Sequence, residues 1–199
     1  SKKMAFWSEN YTAGNIRDPK RKFRFRVDFQ GFGEGNSFLW WAKTASKPSF
    51  QIASTEHKFL NHTFYYPGTV TWQDVAITLV DPGDPDMVAS FTAMVEGGGY
   101  HPPTNAGDLS TMTKSTAASS LGYVTVTQIG ATGEDLEKWT LWNAFITELK
   151  YGDLEYGGDD LTEISVTLKY DWAKLEVFTG GSVAVGADGE MEGETRFFQ

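Results

Sequence analysis

The chain contains no cysteine among its 199 residues. A protein without cysteine has no disulfide framework and no thiolate metal site, and it suits a reducing compartment. A chain of this length can bury roughly 70% of the surface that its unfolded state exposes, so it needs no covalent staple to fold. The composition therefore predicts one self-supporting domain, with room for additional arms.

Long apolar runs are also absent. No stretch approaches the roughly 20 apolar residues that a membrane-spanning helix requires. The N-terminal segment is basic but lacks the apolar core of a secretory signal. We therefore expect no membrane-spanning helix, no secretory signal and no membrane partner.

Motifs typical of catalysis or of metal sites are scarce. His57 and His62 lie five residues apart in a predicted strand, so they point to opposite faces and do not suit a metal pair. The aspartates at 81, 84 and 86 lack the spacing of a calcium loop, and helix capping explains Asp84 and Asp86 better. The Gly-x-Gly-x-Gly at 31–35 precedes no helix that would supply phosphate-binding amides, so it predicts a hairpin loop. We predict no catalytic residue, no metal site and no cofactor.

Charge is distributed unevenly along the chain. Residues 1–30 hold eight Lys/Arg and three acidic residues, a net charge of +5; because the whole chain carries −9, residues 31–199 carry −14. An acidic body repels nucleic-acid backbones. The basic N-terminal part could bind nucleic acid or an acidic surface on another copy of the chain, and both interpretations stay open.

Alternation of apolar and polar residues predicts a mainly β chain. In Lys20–Gln30, apolar residues at 23, 25, 27 and 29 alternate with charged ones, as in a half-buried strand. Further strands are predicted at Ser37–Ser46, Phe50–Thr55, His57–Tyr66, Val70–Val80 and Gly122–Ile129. Pro67-Gly68 is typical of a type II turn.

Two segments favour helices. Asp84 is predicted to cap a helix that has Pro85 in its first turn, an apolar stripe from Met87 to Val95, and an end at Gly97–Gly99. The segment Leu109–Ser120, rich in Ser, Thr and Ala, is compatible with a second, short helix.

The stretch from Trp139 to Trp172 predicts a long hairpin. Its second strand alternates cleanly, with Ile164 to Trp172 on an apolar phase and Glu163 to Asp171 on a polar one. Its first strand, Trp139–Tyr151, is apolar on both phases. A strand that is apolar on both faces indicates a core on one side and a second apolar surface, such as a neighbouring subunit, on the other.

Aromatic residues are numerous, with seven Trp, 14 Phe and eight Tyr. Tryptophan and tyrosine are enriched at protein interfaces, so this surplus indicates large contacts with other chains. A well-filled sandwich core would also account for it. A carbohydrate-binding β-sandwich module is the alternative function, because exposed aromatics with surface carboxylates suit sugars.

Several blocks, in their order along residues 20–178, resemble the tail tube proteins of contractile-tailed (myovirus-type) bacteriophages. That family is similar to the hexameric tube proteins of contractile injection and secretion systems. The blocks are Arg21–Val27 with Gly31–Gly33, Trp41–Phe50, Asn61–Gly68 with Val70–Trp72, Val75–Pro82, Trp139–Ile146 and Tyr170–Ala173.

The resemblance implies a fold and a domain organisation. The fold is a mainly β, antiparallel β-sandwich or half-barrel with one flanking α-helix, whose sheets join into a ring-wide β-barrel on hexamerisation. Residues 20–178 would form this tail-tube domain. Residues 1–19 would be an N-terminal arm, and residues 179–199 an acidic, glycine-rich C-terminal extension.

The resemblance also implies a structural role in a virion, without enzymatic activity. Stacked homo-hexameric rings would form the inner tube of a contractile tail, assembled in the host cytoplasm. The implied partners are the surrounding sheath protein, a baseplate or tail initiator, and genomic DNA that passes through the lumen without specific binding.

Two sets of residues are candidates for these contacts. The subunit-interface candidates are Phe6, Trp7, Arg24, Arg26, Tyr65, Tyr66 and Trp142. The lumen-lining candidates are Glu148, Lys150, Glu163 and Lys169. We expect an acidic lumen, because like charge lets DNA slide without sticking.

Overall fold

A computed structural model describes residues 20–32, 42–82, 86–104, 111–178 and 195–197. Within these ranges the chain forms eleven strands, two α-helices and one short 3-10 turn, Gln30–Phe32. The strands are β1 Phe25–Phe29, β2 Ala42–Ala45, β3 Phe50–Phe59, β4 His62–Trp72, β5 Val75–Val80, β6 Val124–Ile129, β7 Asp135–Trp142, β8 Phe145–Lys150, β9 Glu163–Lys169, β10 Trp172–Val177 and β11 Thr195–Phe197. The helices are α1 Met87–Gly97 and α2 Lys114–Leu121.

The strands form three sheets. One has five strands in the order β1-β6-β7-β10-β11, one has four in the order β2-β5-β9-β8, and β3 pairs with β4 alone. Every pairing is antiparallel. The predicted mainly β, antiparallel β-sandwich or half-barrel is therefore confirmed, and it has two helices where the resemblance implied one.

The inward faces of the two larger sheets share one apolar core with α1. The predicted phases are confirmed in β5 and β9, where every second residue from Val75 to Leu79 and from Ile164 to Leu168 is fully buried. Val27 and Phe29 of β1 are buried in the same core. Phe91 of α1 contacts Phe29 edge-to-face, with ring centroids 5.6 Å apart.

Helix α1 begins later than the sequence predicts. Its N-cap is Asp86, whose side-chain oxygen accepts a hydrogen bond from the backbone N–H of Ala89 at 3.0 Å. The predicted cap, Asp84, lies outside the described residues. The predicted end is confirmed, since Gly98 caps the C-terminus. Helix α2 begins with a capping box between Thr113 and Thr116.

The predicted turn at Pro67-Gly68 is wrong. Strand β4 continues through both residues, and the β3–β4 turn is at Leu60-Asn61. The register shifts between the pairs Ser54–Pro67 and Ile52–Val70, which inserts one extra residue into β4. Proline and glycine are tolerated in a strand at such a bulge, which explains why a turn signal stands inside a strand. The predicted strand Val70–Val80 is likewise two strands, β4 and β5, in different sheets.

The predicted long hairpin is present, but it bends from one sheet into the other. Trp139–Tyr151 is not one strand: β7 belongs to the five-stranded sheet and β8 to the four-stranded sheet. Strands β9 and β10 make the same crossing, so β7–β8 pairs with β9–β10 along its whole length. We call this unit the bent ribbon. The change of sheet accounts for the apolar residues on both phases, and it leaves Trp172 44% exposed rather than in the core.

Polar contacts fix the bend of the ribbon. Asn143 adopts a left-handed conformation, φ 52°, which asparagine tolerates better than most residues. Its side-chain amide donates to Asp171 at 2.9 Å, and Lys114, the first residue of α2, donates to both oxygens of that carboxylate at 2.7 Å. The hydrogen bond from Lys114, followed by that from Asn143, lowers the pKa of Asp171. Asp171 therefore joins both crossing points of the ribbon to α2.

Candidate functional site

Strands β3 and β4 form a projecting hairpin, which we call the hairpin arm. All ten residues of β3 are exposed, and so are nine of the eleven residues of β4. Tyr65 and Tyr66, two predicted interface residues, lie on opposite faces of the arm and are 68% and 56% exposed. Other large apolar side chains exposed on the arm are Phe50, Ile52, Phe59, Leu60, Phe64 and Val70.

The root of the arm is attached to the core. Trp72 packs on Phe50 with ring centroids 5.2 Å apart, and on Tyr170 of the core at 5.9 Å. The backbone N–H of Gln73 donates to the carbonyl of Ser49 at 2.8 Å. The arm is therefore oriented by its root while both of its faces stay open to solvent.

The four predicted lumen residues lie together on the outward face of the four-stranded sheet. Glu163 and Lys169 alternate with buried residues of β9, and Glu148 and Lys150 lie beside them on β8. Each has an ion-pair partner of opposite sign. The pairs are Glu148 with Lys150 at 3.1 Å, Lys169 with Asp74 at 3.5 Å, and Glu163 with Lys43. These three acids and three lysines balance, so this face lacks the excess of negative charge that the sequence predicted for the lumen.

The two predicted interface arginines have partners within the chain. Arg26 pairs with Asp135 at 2.8 Å and with Asp28 at 3.3 Å. The guanidinium of Arg24 lies over the ring of Phe23, 5.2 Å from its centroid. Their contacts with a neighbouring subunit stay predictions. Phe6 and Trp7 lie outside the described residues.

Trp142 lies in an aromatic cluster at the bend of the ribbon. Tyr123 meets its ring edge-to-face at 4.9 Å, and Trp172 stacks on it at 6.3 Å with planes 15° apart. Its indole Nε1 is buried, without a hydrogen-bond acceptor among the described residues. Contacts within the protomer thus occupy much of this side chain, and its role at an interface stays a prediction.

A groove of about 730 Å³ opens between β1 and β2, the terminal strands of the two larger sheets. We call it the lysine groove, because four lysines line it together with apolar side chains. The lysines are Lys20, Lys22, Lys43 and Lys47. The apolar lining consists of Phe23, Phe25, Ala45, Val126 and Trp139.

The carboxylate of Glu137 organises the base of the lysine groove. It accepts hydrogen bonds from Lys20 at 2.5 Å, from Lys47 at 2.9 Å and from the indole of Trp139 at 2.6 Å. Burial by itself raises the pKa of this carboxyl group, but the three donors outweigh it and lower the pKa from 4.5 to about 2. Glu137 thus stays ionised and holds two lysine side chains at the groove.

We expect Glu137 to make stability depend on pH. Because its pKa is lower in the folded protein, it stabilises the fold above the unfolded value of 4.5, and this contribution is lost as pH falls toward about 2. Glu137→Gln should lower the free energy of unfolding by about 2 kcal/mol at pH 7 and flatten this acid limb. Denaturant unfolding at several pH values between 7 and 3 measures both effects. The control is Glu96→Gln at an exposed position of α1; identical curves for the two variants would contradict the assignment.

Sequence reasoning missed Glu137, Lys47 and the groove itself. Glu137 shares its phase in β7 with Trp139 and the buried Leu141, so alternation could have placed this acid inward. The neighbouring lysines are distant in the chain, and only the packing of the two sheets brings them to it.

Two further searches cover the described residues alone. In that part of the chain no group of three or more His, Cys, Asp or Glu side chains is arranged to hold a metal ion. No helix there is both long and apolar enough to cross a membrane.

Comparison with known proteins gives likeness in structure and none in sequence. No family model and no curated relative matches the sequence. A chain from the tube-terminating cap of the anti-feeding prophage is 19% identical, with a TM-score of 0.57 over 87% of this chain and 99% of that chain. A chain from the baseplate of the same prophage is 13% identical, with a TM-score of 0.56 over 80% of this chain and 97% of that one.

An extracellular contractile injection system gives a third likeness. A chain from its PVC sheath–tube complex in the extended state is 18% identical, with a TM-score of 0.55 over 81% of this chain and 94% of that one. The alignments cover nearly the whole of these neighbours, so the likeness concerns the complete domain. The chain has the fold found in components of contractile injection systems, as its sequence blocks predicted.

Proposed function

We propose that this chain is a structural subunit that assembles with copies of itself into the tube of a contractile machine. The hairpin arm is the observation that carries the proposal. An isolated two-stranded hairpin is marginally stable in water, and this one exposes aromatic side chains on both faces. Exposed apolar surface of this extent is typical of a protein–protein contact.

The sheet edges support assembly into rings. In the described fold β1 and β11 bound one sheet, and β2 and β8 bound the other. Uncovered edges favour uncontrolled association, and closing them against neighbours in a ring removes that hazard. A head-to-tail contact closes a ring when its rotation divides a full turn. Six subunits would place their sheets in one continuous barrel, and the arms would contact the next ring.

We assign the tube to a contractile phage tail on the resemblance of the sequence blocks. In that setting the chain is a non-catalytic component of the virion tail, with a sheath around the tube and a baseplate or tail initiator at its end. Genomic DNA would pass through the lumen without specific binding. The balanced charges on the outward face of the four-stranded sheet suit a surface that does not retain a polyanion.

Electron microscopy of the purified protein tests the proposal. We expect rings or tubes in negative stain, and a species several times the mass of the 22.1 kDa chain in light scattering. A strictly monomeric protein at high concentration, including in the presence of a tail initiator, would contradict it.

A further inference from the structure

We propose that the connection between β8 and β9, residues 151–162, docks into the lysine groove of a second copy of the chain. This contact would set the head-to-tail order of subunits around a ring. The inference rests on the proposed function, because the docking would build the ring that the function requires. The docking itself can be measured without a complete ring.

The connection is an acidic segment with exposed apolar side chains. It carries Asp153, Glu155, Asp159 and Asp160, and it contains no lysine or arginine. Within the described part of the chain none of these carboxylates has an ion-pair partner. Between them stand Leu154, Tyr156 and Leu161, which are 89%, 113% and 72% exposed. A segment that leaves such side chains in water gains stability when a partner covers them.

The lysine groove has the complementary chemistry. It is rimmed by four lysines and lined by aromatic and aliphatic side chains, so it offers opposite charge and an apolar surface together. Glu137 engages Lys20 and Lys47, and Glu163 engages Lys43, whereas Lys22 has no ion-pair partner among the described residues. The rim therefore keeps two more positive charges than its paired carboxylates cancel. Charge attraction would select the acidic connection, and apolar contact would hold it.

The positions of the two surfaces favour contact between copies. The four-stranded sheet runs β2-β5-β9-β8, so the connection leaves the sheet at β8, the edge opposite the groove at β2, and returns to it at β9. The start of the connection is therefore three strand spacings, roughly 14 Å, from β2 of its own chain, whereas its end adjoins Glu163, which pairs with Lys43. Two different surfaces on opposite edges form a heterologous contact, which repeats from subunit to subunit and can close a ring.

The connection of the same chain is the competing occupant of the groove. The hydrogen bond and charge of Glu163, with a smaller effect from the charge of Asp160, raise the pKa of Lys43. The end of the connection therefore already acts on the lysine rim of its own chain. An intramolecular contact is the alternative that the experiment has to separate from docking in trans.

Two charge-reversed variants make that separation. The groove variant carries Lys22→Glu with Lys43→Glu, and the connection variant carries Asp153→Lys, Glu155→Lys and Asp159→Lys, which changes the charge of the connection from −4 to +2. Alone, each variant has groove and connection of like charge, and we expect self-association to weaken at least tenfold in sedimentation velocity. When the two variants are mixed in equal amounts, each groove meets a connection of opposite charge, so association should return. The two variants would then alternate around a ring that has an even number of subunits.

The controls exclude general effects of charge and of misfolding. Lys138→Glu with Lys174→Glu reverses two lysines on the outward face of the five-stranded sheet and should associate like the unmodified chain. Circular dichroism of every variant should match the unmodified protein, because the substituted side chains are exposed or half-buried and none belongs to the core. Thermal unfolding should shift only for the groove variant, which loses the exposed ion pair between Lys43 and Glu163.

Each outcome decides between the proposals. If both variants associate like the unmodified chain, docking in trans is wrong. If each variant associates weakly and the mixture does not regain association, docking in trans is also wrong, and the connection contacts the groove of its own chain instead. If the mixture recovers but neither it nor the unmodified chain forms rings under the microscope, the docking stands and the proposed tube function fails.

Discussion

Replacing Tyr65 and Tyr66 together by aspartate should abolish tube formation while leaving the protomer folded. Both side chains project from the hairpin arm, and neither is part of the buried core. In an interface, an unpaired carboxylate loses its hydration without gaining a partner, which costs several kcal/mol for each contact. Since every subunit repeats the contact, the loss accumulates along the tube. Negative-stain microscopy and sedimentation velocity measure it.

The conservative variant Tyr65→Phe with Tyr66→Phe is the matched control for the arm. It keeps the rings and removes the hydroxyl groups, so we expect tubes to persist. The unfolding free energy of both variants should stay within about 0.5 kcal/mol of the unmodified protein, as is usual for surface substitutions. Tubes formed by the aspartate variant would show that the arm is not an assembly contact, and a large loss of stability would show that these tyrosines support the protomer instead.

Phe91→Ala should cause the largest loss of protomer stability among the substitutions considered. Phe91 is 0% exposed and lies edge-to-face against Phe29, at the contact between α1 and β1. Removing a buried phenyl ring loses its transfer free energy and leaves a cavity, at a cost of about 3–5 kcal/mol. For a chain of this size the melting temperature should fall by roughly 6–20 °C. Thermal and denaturant unfolding measure the effect.

Glu96→Ala, on the exposed side of the same helix, separates packing from helix propensity. It should change the free energy of unfolding by less than about 0.5 kcal/mol. Equal effects of the two substitutions would mean that α1 is not packed on the sheet through Phe91.

Alternation along the sequence predicted much of the core. Val75, Ile77 and Leu79 are buried as their phase indicates, because a strand with one wet face requires this pattern. Helix α1 was predicted for a similar reason, with a cap that stands two residues later than expected. The strand boundaries were harder to predict, since Pro67-Gly68 reads as a turn unless the bulge opposite Ala53 is known.

Pattern alone could not predict where a strand changes sheet. The segment around Asn143 keeps an extended, apolar character on both sides of the crossing, so it appears as one strand apolar on two faces. Such a pattern predicts contact with a neighbouring subunit, but the crossing explains it within one chain. The choice between the two depends on tertiary pairing, which a single sequence does not contain.

The candidate surfaces were likewise predictable from the sequence only in part. Tyr65 and Tyr66 are exposed, and their role at an interface stays a prediction. Arg26 was predicted to meet another subunit, and it has acidic partners within its own chain. The lysine groove gathers residues from β1, β2, β6 and β7, and such convergence appears only after folding.

The bent ribbon also has a consequence for the order of folding. Strands β6 to β10 are nearly consecutive in the chain, and their pairs close comparatively short loops. By contrast β1 pairs with β6, and β5 with β9, across long separations that cost more chain entropy to close. The ribbon with β6 can therefore form as a local nucleus that already contains strands of both sheets. Strand β1 would then pair with β6, and β5 with β9. Substitutions at the bend of the ribbon should therefore slow folding more than they speed unfolding.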